Sequence, residues 1–180
     1  MGKVLIGGGV GGLILFLWGA VSHMLLPVGH WGFGTLAPAE DAVLAAAVRG
    51  SVGTHAIYLF PDAAASANGA PAGPGRGFLM YDPASRREAE PGARQLVCEY
   101  LWDVVAALLA AFVLVHVAPD VGYARRVLLA TAFGLFAVAS VDAAFVTWYG
   151  FPHAYLGAQV VDAAGGAFLA GLFLARACRR

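Results

Sequence analysis

Six polar side chains stand inside stretches that are otherwise apolar enough to cross a membrane: His23, Glu99, Asp103, Asp142, Gln159 and Asp162. An ionised carboxylate facing lipid is costly, so such acids point into a bundle interior or a water-filled cavity. Acids that share a low-dielectric interior cannot all be ionised cheaply. Some must hold a proton, pair with a cation or reach water. His23 is the side chain of this layer that can itself become a cation. Three chemistries fit the set. The first is a divalent metal site using His23, Asp103, Asp142 and Asp162, whose ligand types suit zinc, manganese or iron, although no local motif such as HExxH is present. The second is a pocket, open to the outside, for a proton, cation or small polar ligand, with Glu99 and Gln159 above the deeper acids. In the third, the acids bond to Ser22, Ser140, Thr147, Tyr100, Trp102 or Trp148 and fix helix register without further chemistry.

Four elements must position this layer. The chain has 180 residues, is 60% hydrophobic and only 12% charged, and its mean hydropathy is +0.74. Soluble domains carry about 25% charged residues. The apolar residues concentrate at about 4–26, 96–118, 127–149 and 154–175, each long enough to span a ~30 Å hydrocarbon core at a rise of about 1.5 Å per residue. The fold class expected is therefore an all-alpha membrane protein with four transmembrane helices, forming a single polytopic domain. A secretory signal is the competing reading of 4–26, but the run is long for one. With alternating span directions, all four helices bring an ionisable group to a depth of roughly 5–12 Å below one surface. Glu99 and Asp103 are an i,i+4 pair on one face. Gln159, Asp162 and Gly166 share a face, and Asp142 shares one with Val138, Phe145 and Tyr149.

Charge sets the orientation. Lys3, Arg125, Arg126, Arg176, Arg179 and Arg180 fall on one side against the single acid Asp120, net +5, whereas the 27–95 loop has five Arg and six acids, net −1. The positive-inside rule then places both termini in the cytoplasm and the loop outside. Trp31, Trp102, Trp148, Tyr149 and Tyr155 gather at the outer interface, where amphipathic rings prefer to lie. Short turns make spans two, three and four antiparallel neighbours. The loop is expected to form a partial cap. Within it, Pro38–Arg49 reads as a helix with Ala39, Val43, Ala46 and Ala47 as its apolar stripe and Glu40 and Asp41 in its first turn. Thr54–Phe60 reads as a short strand or a re-entrant edge, and Gly77–Tyr81 as a second strand that could pair with it. The Gly- and Pro-rich stretch between them reads as an extended excursion, and Asp82–Pro83 as a turn. Arg86, Arg87 and Arg94 are placed to meet lipid headgroups.

Other candidates carry less. Gly7, Gly8, Gly11 and Gly12 repeat at the spacing that lets helices approach closely, which serves packing within the bundle or offers a face to a membrane protein partner or a second copy. This run is not a nucleotide fingerprint, since it follows no strand and lacks the Lys-Ser/Thr of a P-loop. The net charge of 0 gives no nucleic-acid signature. Cys98 and Cys178 fall at opposite membrane faces, too far apart for a disulfide. His116 and His23 are separated by most of the membrane and cannot share one haem iron. His30, His55 and His153 lie at or beyond the outer boundary.

The stretch Trp18-Gly19-Ala20-Val21-Ser22-His23-Met24-Leu25-Leu26-Pro27-Val28-Gly29, with the later Trp148-Tyr149-Gly150-Phe151-Pro152, resembles segments of small uncharacterised bacterial inner-membrane proteins. The resemblance implies a bacterial plasma-membrane setting and brings no catalytic residues. The expected function is a bundle with an outward-facing polar site. The alternative is an accessory or assembly subunit of a larger membrane complex.

Overall fold

The structure is a computed structural model describing residues 1–51, 56–60, 77–81 and 92–179. The chain divides into two compact units, one of Met1–Phe33 with Glu90–Arg180 and one of Gly34–Ala89. The expectations for His55, the Gly- and Pro-rich stretch 61–76, Asp82–Pro83, Arg86 and Arg87 lie outside the described residues.

Among the described residues, four helices are long and apolar enough to cross a membrane: span 1 Gly2–Leu25, span 2 Ala93–His116, span 3 Tyr123–Tyr149 and span 4 His153–Ala177. They agree with the apolar runs to within a few residues. Spans 2 and 3 begin earlier than hydropathy suggests. Their helical hydrogen bonding continues through polar residues to N-caps at Gly92 and Gly122, where hydropathy has already fallen away.

The order in space is span 2, span 1, span 4, span 3. Span 1 lies between spans 2 and 4, and span 3 packs on span 4; spans 2 and 3, adjacent in sequence, share few contacts. The expectation that short turns make spans 2, 3 and 4 close neighbours thus holds for spans 3 and 4 and is weak for spans 2 and 3. The reason lies in the glycines of span 1. A Cβ on Gly12 would stand 2.7 Å from Val104 Cα, one on Gly8 2.4 Å from Leu108, and one on Gly7 2.9 Å from Ala111. The glycine face that could have served a partner is therefore filled by the chain's own spans. The opposite side of span 1 exposes Leu5, Ile6, Leu13 and Leu17. The innermost side chains are Ala111, Leu114, Ala130, Ala170, Leu174 and Cys178.

Arg126 is fully buried, a placement that its count as an edge charge did not foresee. Its Nε donates to Val121 O (3.2 Å), Nη1 to Leu114 O (2.9 Å), and Nη2 to Val117 O (3.0 Å) and Ala118 O (2.9 Å). These carbonyls end span 2 and form the following turn. A planar cation with a fork of donors satisfies them and complements the negative end of the helix dipole. At the same end of the bundle, Lys3 Nζ donates to Arg179 O.

The second unit holds a helix, Pro38–Ser51, and an antiparallel hairpin of β1 (Ala56–Phe60) and β2 (Gly77–Tyr81), paired in register from Ala56 opposite Tyr81 to Phe60 opposite Gly77. Both expected strands are present. The helix begins where Glu40 Oε2 accepts from the Ala37 N–H at 3.0 Å. Its apolar stripe is not the expected one. Leu44, Ala45 and Val48 line a groove with Leu79 and Tyr81, while Val43 is 70% exposed. The bulky i,i+4 pair Leu44 and Val48 buries more apolar area than a stripe of alanines.

Candidate functional site

In three spans, polar residues of the candidate layer lie on π-helical turns. These are Val21–Leu25 with Ser22 and His23, Val138–Asp142, and Val160–Ala164 with Asp162. A π-turn inserts one residue into the 3.6-residue repeat. It widens the helix locally and rotates the following side chains, and such turns recur at functional sites. Helical phase counted from the sequence does not anticipate them.

A cavity of about 410 Å³ is lined by His23, Glu99, Asp103 and Asp162 together with apolar and aromatic residues including Leu15, Phe16 and Trp18. Among the described residues its titratable lining is three carboxylates and one imidazole, with no Lys or Arg. The structure brings these four of the six candidates together. Gln159 lies beside them, lining a smaller space of about 140 Å³ with His23 and Asp162. Asp142 is placed elsewhere and accepts a hydrogen bond from Tyr155 Oη at 3.0 Å, which ties span 3 to span 4. Among the described residues no three His, Cys, Asp or Glu side chains converge as a metal-binding group.

The centre of the arrangement is Ser22, which is fully buried. Its hydroxyl donates to Asp162 Oδ1 at 2.5 Å. A serine has one proton to donate. With that proton directed to Asp162 Oδ1, or to Gly19 O at 3.1 Å, the 2.9 Å contact between Ser22 Oγ and His23 Nδ1 has Nδ1 as its donor. Gly19 O, 3.1 Å from the same nitrogen, is a second acceptor for that proton. Nε2 of His23 is left to accept a proton or donate to a ligand. His23 Nδ1 and Asp162 Oδ1 are 3.9 Å apart, so Ser22 bridges them. This is not a Ser-His-Asp triad, because the serine bonds to the acid rather than to the free ring nitrogen.

The motif around His23 now has a physical reading. Trp18 Nε1 donates to Asp162 O at 2.9 Å, and its indole occupies the space left by Gly165 and Gly166, where a Cβ would come within 2.9–3.0 Å of the ring. A Cβ on Gly29 would stand 2.7 Å from the His23 ring, so glycine there leaves the imidazole its room. The local sequence signal was the cluster itself, with Trp, Gly, Ser, His and Gly within twelve residues. Ser22 was foreseen as an acid's partner. Trp18 and Tyr155 were not: Trp18 bonds to a backbone carbonyl, which no side-chain pattern marks, and Tyr155 reads as an outer-interface aromatic.

The remaining candidates are peripheral. Ser140 and Thr147 bond back to Phe136 O and Ala143 O within their own helix. His116 Nδ1 lies 2.7 Å from Phe112 O. His30 and His153 are exposed. Both cysteines are free, with Cys98 exposed and Cys178 buried. No family model matches the chain, and no curated protein and no solved structure matches it.

Proposed function

We propose that the chain is a multi-pass protein of the bacterial inner membrane, with both termini cytoplasmic, whose bundle binds a cation from the outer side. The observation that supports this reading is the joint lining of one cavity by His23, Glu99, Asp103 and Asp162. Among the described residues, three carboxylates gathered with no basic side chain but an imidazole repel one another unless protons, a bound cation or water offset the repulsion. Ser22 holds Asp162 and His23 in fixed orientations, so part of the ordering cost of binding is met before a ligand arrives. A divalent ion is one form the cation could take, held by His23 Nε2 and the chamber's acids. An ammonium is another.

The test uses the full chain in detergent with Trp31, Trp102 and Trp148 replaced by phenylalanine, so that fluorescence reports on Trp18 in the cavity wall. Methylammonium chloride and manganese chloride are titrated separately. A saturable response to at least one of them, lost in the Asp103→Asn, Asp162→Asn double variant, is expected. No saturable response to either overturns the reading.

A further inference from the structure

A second cavity, of about 260 Å³, adjoins the acidic chamber; the two share Leu15, Asp103 and Ala163 in their walls. Its character is the opposite of the first. Alanines of spans 2, 3 and 4 line it, among them Ala107, Ala110, Ala130 and Ala167, and among the described residues Asp103 is its one charged residue. Spans 2 and 3 are fastened at their connection by Arg126 and share few contacts beyond it. Side chains as short as alanine do not fill the space between them. Protein interiors normally leave few voids larger than a water molecule. An apolar cavity of roughly 150 Å³ stays dry and admits benzene, so this one has room for a short hydrocarbon chain.

Resting on the cation-binding reading above, we infer that the ligand is an amphiphilic amine, with its ammonium in the acidic chamber and its hydrocarbon tail in the alanine-lined cavity. Three observations select an organic ammonium. Its N–H donors suit carboxylates spread around a chamber, and these acids do not converge as a metal-binding group among the described residues. Phe16 and Trp18 also line the chamber, and aromatic faces attract organic cations. Finally, Asp103 stands where the two cavities meet, so one molecule can place its charge beside the acid and its tail beyond it. Phe133, at the edge of the second cavity, is 40% exposed, which leaves that side open to a tail entering between spans 2 and 3.

The experiment compares methylammonium, n-butylammonium and n-butanol on the Trp18-only full chain. Three added methylenes entering an apolar cavity from water predict about 50-fold tighter binding of butylammonium than of methylammonium. Butanol, with the same tail and no charge, is expected to give no saturable response. Filling the second cavity by Ala110→Leu with Ala167→Leu is expected to remove the chain-length advantage and leave methylammonium binding unchanged. Equal affinity for the two amines in the unfilled protein overturns this inference and leaves the acidic chamber standing. So does butanol binding as tightly as butylammonium. No response to either amine, with manganese also silent, overturns both readings.

Discussion

Replacing Arg126 by methionine tests the energetics that hold the bundle open. The guanidinium makes four hydrogen bonds, at 2.9–3.2 Å, to Leu114 O, Val117 O, Ala118 O and Val121 O. Leu114 O and Ala118 O also accept backbone N–H groups from Val117 and Val121, so they keep a partner in the variant. Val117 O and Val121 O depend on the arginine. Hydrogen bonds to charged groups contribute about 1.5–3 kcal/mol each, so losing those two costs about 3–6 kcal/mol. Methionine is close in length and apolar, and its packing offsets part of this, leaving an expected net loss of about 3 kcal/mol. For a chain of this size that lowers the Tm by about 6–12 °C. Thermal unfolding in detergent, followed by circular dichroism, measures it. Arg126→Lys should fall between the two, since one ammonium cannot reproduce a fork that spans four carbonyls. Arg125→Met, at an exposed neighbour, should shift stability by no more than about 0.5 kcal/mol. Equal melting of the Arg126→Met and Arg125→Met proteins would refute the assignment of Arg126 as the clamp at the end of span 2.

Three further outcomes are expected. Gly12→Ala puts a Cβ 2.7 Å from the Val104 backbone and should cost about 1–3 kcal/mol. Gly9→Ala, where a Cβ meets nothing within 4 Å, should raise the melting temperature by helix propensity alone; paired melts of the two variants decide it. Ser22→Ala removes the 2.5 Å donor to Asp162 and should cost about 1.5 kcal/mol. It should also loosen the Nδ1–H tautomer of His23, visible as a change in its imidazole nitrogen shifts, and unchanged shifts would contradict the bridging role. Cys178 lies just beyond span 4. Its thiol is held above the ordinary range by burial, against the opposing pull of Lys3 and Arg126. A raised thiol stays protonated, and so unreactive, at an alkaline pH that ionises an ordinary cysteine. Iodoacetamide should therefore modify Cys98 first as pH rises, and mass spectrometry showing Cys178 alkylated at the same pH would contradict this.

Much of this protein is written in its sequence because a bilayer imposes a simple rule. A helix that must satisfy its own backbone in hydrocarbon needs about twenty apolar residues, and no other chain pattern produces four such runs. The four spans and the hairpin strands follow from counting along the chain. Which polar residues meet does not. The π-turns at 21–25, 138–142 and 160–164 rotate the helices away from the phase that composition implies. Asp142 meets Tyr155, while Asp162 meets Ser22 and His23. Arg126 was legible as a charge at a helix start but not as a buried cap, because its partners are backbone carbonyls, and every residue has one. The glycines of span 1 signalled close approach, but not to which helix. Only the three-dimensional packing, with span 1 set between spans 2 and 4, decided that they serve the chain itself. It also decided that the space left over became two adjoining cavities, because the spacing between helices is fixed where their side chains collide, and alanines collide late.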